Sequence, residues 1–195
     1  MPAIKEAKIL ILATDGFEES ELMVPLEKLR AQGAAVHVAA PAKTRAPGQI
    51  TAWDGMKEPE DWGRSVPVDR PLAEVKADDY DAIVLPGGVL NPDHLRVDAQ
   101  AIALVQDFAA KGKVVASICH GPWILVEAGL AKGRKMTSFS SIKTDVQNAG
   151  ATWLDQAVVT DKGIVTSRSP DDLDAFVAKI VEEVQEGSHG ARRAA

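Results

Sequence analysis

The chain has 195 residues, 46% hydrophobic and 26% charged, a balance that fits one water-soluble domain with a substantial core. A net charge of −6 and a pI near 5.2 argue against nucleic acid as the main partner, because a phosphate backbone is bound by a clustered basic surface. No apolar run approaches the roughly 20 residues that cross a bilayer; the single cysteine excludes an intramolecular disulfide, and the opening MPAIKEAKILIL has no export-signal pattern, so the expected location is the cytoplasm and no membrane partner is expected.

Taken in chain order, apolar β-branched runs alternate with helical patterns. KILILA (Lys8 to Ala13) reads as a buried strand, and ELMVPLEKLRAQG then carries Leu22, Leu26 and Leu29 at helical spacing up to Gly33. AVHVAA is a second strand. The segment ITAWDGMKEPEDWGRSVPVD, residues 50–69, reads as two strands around a polar turn, a hairpin excursion in which Trp53 and Trp62 either pack or form a pocket wall or subunit contact. DAIVLPGG is a third sheet strand, followed by a helix from about Ala99 to Lys111 closed by Gly112, and KVVASI is a fourth, running into HGPWILVEAGL. KGIVTS is a late strand. The closing helix lies in SPDDLDAFVAKIVEEVQ, with Ser169 expected as its N-cap and Pro170 in its first position. This alternation predicts an α/β fold, a parallel sheet with helices on both faces. One domain over residues 1–187 is expected, with 188–195 as a flexible tail; neither an internal repeat nor a linker is visible.

In such a sheet, reactive groups gather beyond the carboxyl ends of the strands. Cys119 sits there, where KVVASI must turn into HGPWIL. A nucleophile on so tight a turn needs small residues two positions before and after it, and those positions hold Ser117 and Gly121. A following helix would aim its N-terminal dipole at the sulfur and favour thiolate; the alternative is an inert buried cysteine. Two other loops should end on the same edge. TDGFEESEL brings Glu18 or Glu19, and PGGVLNPDHLR brings Gly87 and Gly88, whose backbone N–H groups can approach an oxyanion. Within the latter loop, NPD also has the form of a helix start, with Asn91 as cap and Pro92 first. His37 and His94 read as strand and surface residues, and one cysteine with scattered histidines offers no metal-ligand spacing, so neither a metal nor another cofactor is expected.

The stretches DGFEESEL, LPGG, ASICHGP and SIKTDVQNAGA together resemble the PfpI-like intracellular cysteine proteases of the ThiJ/PfpI superfamily, over about Lys8 to Val184. The resemblance implies a flavodoxin-like α/β sandwich that forms a homodimer or higher homo-oligomer, with Cys119 as nucleophile and His120 beside it. It further implies Glu18 as the carboxylate hydrogen-bonded to the thiol, and the N–H groups of Gly88 and His120 as oxyanion hole. Asp93, one methylene shorter than the family's glutamate, matches the residue that orients the histidine from a neighbouring subunit. Glutamine amidotransferases share the elbow but need a downstream histidine, and His189 in the tail is the one that follows the late strand.

Three functions follow as expectations. The favoured one is a stress-protective cysteine hydrolase or lyase acting on a small carbonyl compound, a glycated adduct or a peptide. The others are an oxidative-stress protein that works through oxidation of Cys119 without turnover, and a chaperone-like stress oligomer for which Cys119 is dispensable.

Overall fold

Leucine-rich and β-branched runs that alternate their side chains between two faces form the centre of the molecule. A computed structural model describes residues 3–53 and 62–187. The strands are β1 (Lys8–Leu12), β2 (Phe17–Glu18), β3 (Ala35–Ala40), β4 (Gln49–Trp53), β5 (Trp62–Pro67), β6 (Arg70–Pro71), β7 (Ala82–Leu85), β8 (Val114–Ile118), β9 (Lys135–Met136), β10 (Thr152–Trp153), β11 (Val158–Asp161) and β12 (Ile164–Ser167). The helices are α1 (Glu19–Ala31), α2 (Leu90–Arg96), α3 (Ala99–Ala110), α4 (Pro122–Glu127), α5 (Lys143–Asn148) and α6 (Leu173–Glu186). Among the described residues the main sheet has seven strands in the order β11-β12-β8-β7-β1-β3-β6, parallel throughout except where β11 pairs antiparallel with β12.

Because successive strand residues face opposite ways, β1 contributes Ile9 and Ile11 to one core and Leu10 and Leu12 to the other. Leu22, Leu26 and Leu29 of α1, with Phe176 and Ile180 of α6, cover the first face. Leu104 and Phe108 of α3, with Ile124 and Leu125 of α4, cover the second. Burial on both faces explains why the strands read as continuous apolar runs instead of alternating ones. It also fixes the parallel direction in which β1, β7 and β8 deliver their carboxyl ends to one edge.

The hairpin excursion is present as β4 and β5, antiparallel, with Trp53 opposite Trp62; β2 adds to β4 as a third strand. The two indoles are half-buried and meet edge to face, centroids 5.3 Å apart. The polar turn expected between them lies at 54–61, outside the described residues, as does the tail expected at 188–195. Two helix starts differ from the sequence reading. Pro170–Asp172 winds as a 3-10 turn and the Ser169 side chain caps nothing, while the Asp172 carboxylate is held by Arg168 at 2.8 and 3.0 Å. The helix expected to begin at Asn91 includes that residue, since α2 starts at Leu90.

The sheet's stability should rest on the fully buried aromatics. Phe176→Ala is expected to cost about 3–5 kcal/mol in urea denaturation, whereas Val97→Ala, at a position 81% exposed, should stay within about 0.5 kcal/mol of the parent.

Candidate active site

Cys119 follows the last residue of β8 and has φ +62°, in the left-handed region that non-glycine residues rarely enter. The backbone is held on both sides: the Cys119 N–H donates to Ser167 O at 3.1 Å, and the Phe139 N–H donates to Cys119 O at 2.8 Å. The chain then doubles back so closely that a Cβ on Gly121 would lie 2.5 Å from Ser117 Oγ and 2.7 Å from Leu85 O. This is the steric reason for the small residues on either side of the cysteine. The helix that follows, α4, has only six residues, so the dipole expected to favour thiolate is a short one.

The carboxyl group beside the thiol belongs to Glu21 and not to Glu18 or Glu19. Glu18 is the N-cap of α1: its Oε2 accepts the Glu21 N–H at 2.8 Å and the Ser20 hydroxyl at 2.6 Å. Glu19 faces the hairpin, where it accepts the Arg64 N–H at 3.1 Å. Glu21, in the first turn of the helix, is completely buried. Its Oε2 accepts the Gly87 N–H at 2.8 Å, its Oε1 has no hydrogen-bond partner, and the carboxyl and the Cys119 side chain both border Gly87, where each shifts the ionisation of the other. The physical reason for the exchange is capping. An acid just before the first helical turn turns back onto free backbone N–H groups, and the acid three residues later points inward with Pro25 and Leu29.

Burial pushes the Glu21 carboxyl up to about 8, with the Glu18 charge adding to it, so Glu21 is protonated at neutral pH. Burial also pushes the Cys119 thiol up, and an ionised Glu21 would push it further; the N–H groups of Gly88 and His120 act in the opposite direction. The two groups therefore ionise one at a time: Glu21 loses its proton first as pH rises, and its charge then opposes ionisation of the thiol. The expectation of a depressed thiol pKa is corrected here: desolvation outweighs the donors.

The backbone N–H groups of Gly88 and His120 face the Cys119 sulfur. Gly88 has φ +75°, and a Cβ there would stand 2.5 Å from Gly16 O, so only glycine fits where this loop crosses the one after β1. Asn91 ties the two loops together, accepting the Thr14 N–H at 2.7 Å and donating to Pro86 O and Gly87 O at 2.9 and 3.2 Å. His120 Nδ1 lies 3.2 Å from Cys119 Sγ, and its Nε2 lies 3.0 Å from Ser141 Oγ. Its ring stacks on Phe139 and meets the edge of Trp123; burial lowers its pKa and keeps it neutral. Asp93 is engaged elsewhere within the chain, in an ion pair with Arg96, whose guanidinium lies over the Trp123 ring.

Sequence reasoning missed Glu21 and Ser141, and read Asn91 as a helix cap instead of a tie between loops. Only Glu21 left a signal: it stands four residues before Pro25 and eight before Leu29, on the stripe that faces the core. A cavity of about 620 Å³ lies along the loops after β1 and β3, lined by Thr14, Arg45, Trp62, Leu90 and His94 among others, and none of its lining residues belongs to the elbow. Among the described residues, the carboxylates near enough together to share a metal ion are Glu182, Glu183 and Glu186 on α6, apart from the elbow residues. No helix among the described residues is long and apolar enough to cross a membrane.

The DJ-1/PfpI family model matches residues 7–183. The chain belongs to the DJ-1/PfpI family. It is 44% identical over 175 residues to a deglycase of Thermococcus kodakarensis, covering 90% of this chain and 98% of the relative. With protein/nucleic acid deglycase 2 of Escherichia coli it shares 41% identity over 170 residues, 87% and 92% of the two chains. Among solved structures, a two-domain protein of Anabaena variabilis with DJ-1/ThiJ/PfpI-like and ferritin-like domains superposes with a TM-score of 0.83 at 32% identity, over 96% of this chain and 52% of the other. In this DJ-1/PfpI chain the backbone N–H groups of Gly88 and His120, the His120 ring and the Glu21 carboxyl are the groups that surround the Cys119 sulfur.

The pair of Glu21 and Cys119 makes a direct prediction about pH. Glu21→Gln cannot ionise and can donate to a thiolate, so the midpoint of Cys119 alkylation against pH should fall by about one unit or more. Glu18→Gln keeps an oxygen for the helix cap but removes a charge that helps keep Glu21 protonated, so it should not lower the midpoint. The reverse pattern would return the role to Glu18.

Proposed function

We propose that this DJ-1/PfpI protein is a stress-protective hydrolase or lyase that uses Cys119 as a nucleophile on a small carbonyl compound, a glycated adduct or a peptide. The observation that carries the reading is the set of groups around one sulfur: a protonated carboxyl, a neutral imidazole nitrogen at 3.2 Å and two backbone N–H donors. The names of the Thermococcus and Escherichia relatives favour a glycated adduct as the substrate class.

In this mechanism the thiol proton passes to His120 Nδ1 as the sulfur attacks the carbonyl carbon. The S–C bond forms, the carbonyl π electrons move to oxygen, and the N–H groups of Gly88 and His120 receive the oxyanion. On a peptide the His120 proton goes to the departing amine as the oxyanion collapses and the C–N bond to that carbon breaks, and water then cleaves the S–acyl bond to give a carboxylic acid and the free thiol. On a glycated adduct the carbinol carbon first loses its amine or thiol, the hydroxyl proton passing to the leaving group, and the sulfur attacks the carbonyl so unmasked. Protonated Glu21 keeps the sulfur from facing a second negative charge. We further propose that the protein works in the cytoplasm as a homodimer or higher oligomer. Exposed Val89 and Phe139 flank Gly88 and His120, and a partner copy would cover them.

Purified protein should release free amine or thiol from methylglyoxal-modified lysine and cysteine derivatives, and Cys119→Ala should lower turnover by on the order of 10³-fold or more. Equal turnover by Cys119→Ala would overturn the nucleophile, and peroxide-dependent protection without turnover would favour the oxidative-stress function instead.

A further inference from the structure

His120 follows the nucleophile directly in the chain, so no residue of its own element can fix how its ring turns. Phe139 stacks on one face at a centroid distance of 5.0 Å and Trp123 meets the ring at 5.4 Å, which sets the plane of the imidazole. These contacts do not choose which nitrogen carries the proton. That choice belongs to the hydrogen bonds in the ring plane, where Nδ1 faces Cys119 Sγ and Nε2 faces Ser141 Oγ at 3.0 Å. Ser141 lies in the short turn Ser140–Ile142 that precedes α5.

We propose that Ser141 is the positioning residue of this site, holding His120 from within the same chain as the Nε2–H tautomer, so that the Nδ1 lone pair faces the thiol. The proposal deepens the cysteine-nucleophile reading and rests on it for its catalytic meaning. A hydroxyl accepts the Nε2–H bond without bringing a charge. An acid at the same point would stabilise an imidazolium and favour an ion pair with thiolate. With serine there, the imidazole stays neutral and acts as the acceptor of the thiol proton during attack. Within its own chain Asp93 is held by Arg96, whose guanidinium lies over the Trp123 ring, and the partner of His120 Nε2 is Ser141.

The test is the nitrogen spectrum of His120 in protein labelled with ¹⁵N-histidine, assigned by the resonances lost in His120→Gln. This measurement needs no substrate. The parent and Ser141→Thr should both show a single Nε2–H tautomer, Ser141→Ala should show a mixture of the two, and Asp93→Ala should match the parent. Turnover of the carbonyl substrate should fall on the order of tenfold in Ser141→Ala, a fraction of what proton transfer contributes, and return in Ser141→Thr. An unchanged nitrogen spectrum in Ser141→Ala, or scrambling in Asp93→Ala alone, would overturn the proposal. If Cys119→Ala kept its turnover while Ser141→Ala still scrambled the tautomer, the nucleophile reading would fall and the placement of His120 by Ser141 would stand.

Discussion

A carboxyl group taken completely out of water against a thiol is the constraint on which this site depends. Glu21 can occupy that position only in its protonated form at neutral pH, since burial raises it to about 8. In doing so it joins three parts of the chain: helix α1, which carries it, the loop after β7, whose Gly87 N–H it accepts, and the elbow after β8. The arrangement has a cost with a definite sign. The group's folded pKa is raised, so its contribution to stability is full below its ordinary value of 4.5 and is lost as pH rises through about 8. A fold that merely needed a packed helix face would have an apolar side chain there.

The rest of the architecture serves to bring that pair together without a clash. The sheet delivers β1, β7 and β8 in parallel, and the loops beyond them cross at contacts only glycine allows, with Gly88 against Gly16 O. Asn91, completely buried, replaces with side-chain bonds the backbone pairing that the irregular loops cannot make. At the elbow the strain falls on Cys119 at φ +62°, held by hydrogen bonds to Ser167 and Phe139 from two further segments. The second of these segments carries both Phe139 and Ser141 to His120, so one loop sets the surroundings of Cys119 and of the imidazole beside it.

Much of this was legible in the sequence, and the reason is periodicity. Strands buried on both faces announce themselves as apolar runs, which is why β1, β3, β7, β8 and β12 were readable along with the edge where they end. The small residues around Cys119 and the paired glycines after β7 are steric requirements that appear directly as residue types. What was not legible is which of several similar side chains turns inward. Glu18, Glu19 and Glu21 differ by a few positions on one helix start, and the choice among them is made by a cap bond that only the backbone geometry reveals. Asn91 reads as a helix cap until the helix is seen to begin one residue earlier. Ser141 is 21 residues from the ring it touches, a distance at which no local pattern operates.

The central claim, that Glu21 holds a proton beside the sulfur at neutral pH, is tested most directly by the infrared absorption of protonated carboxyl groups. The account predicts a protonated carboxyl band at pH 7 that disappears in Glu21→Gln, persists in Glu18→Gln, and moves when Cys119→Ala removes its sulfur partner. A Glu21 carboxyl that titrates in the ordinary range near 4.5, or a band at pH 7 untouched by Glu21→Gln, would contradict it.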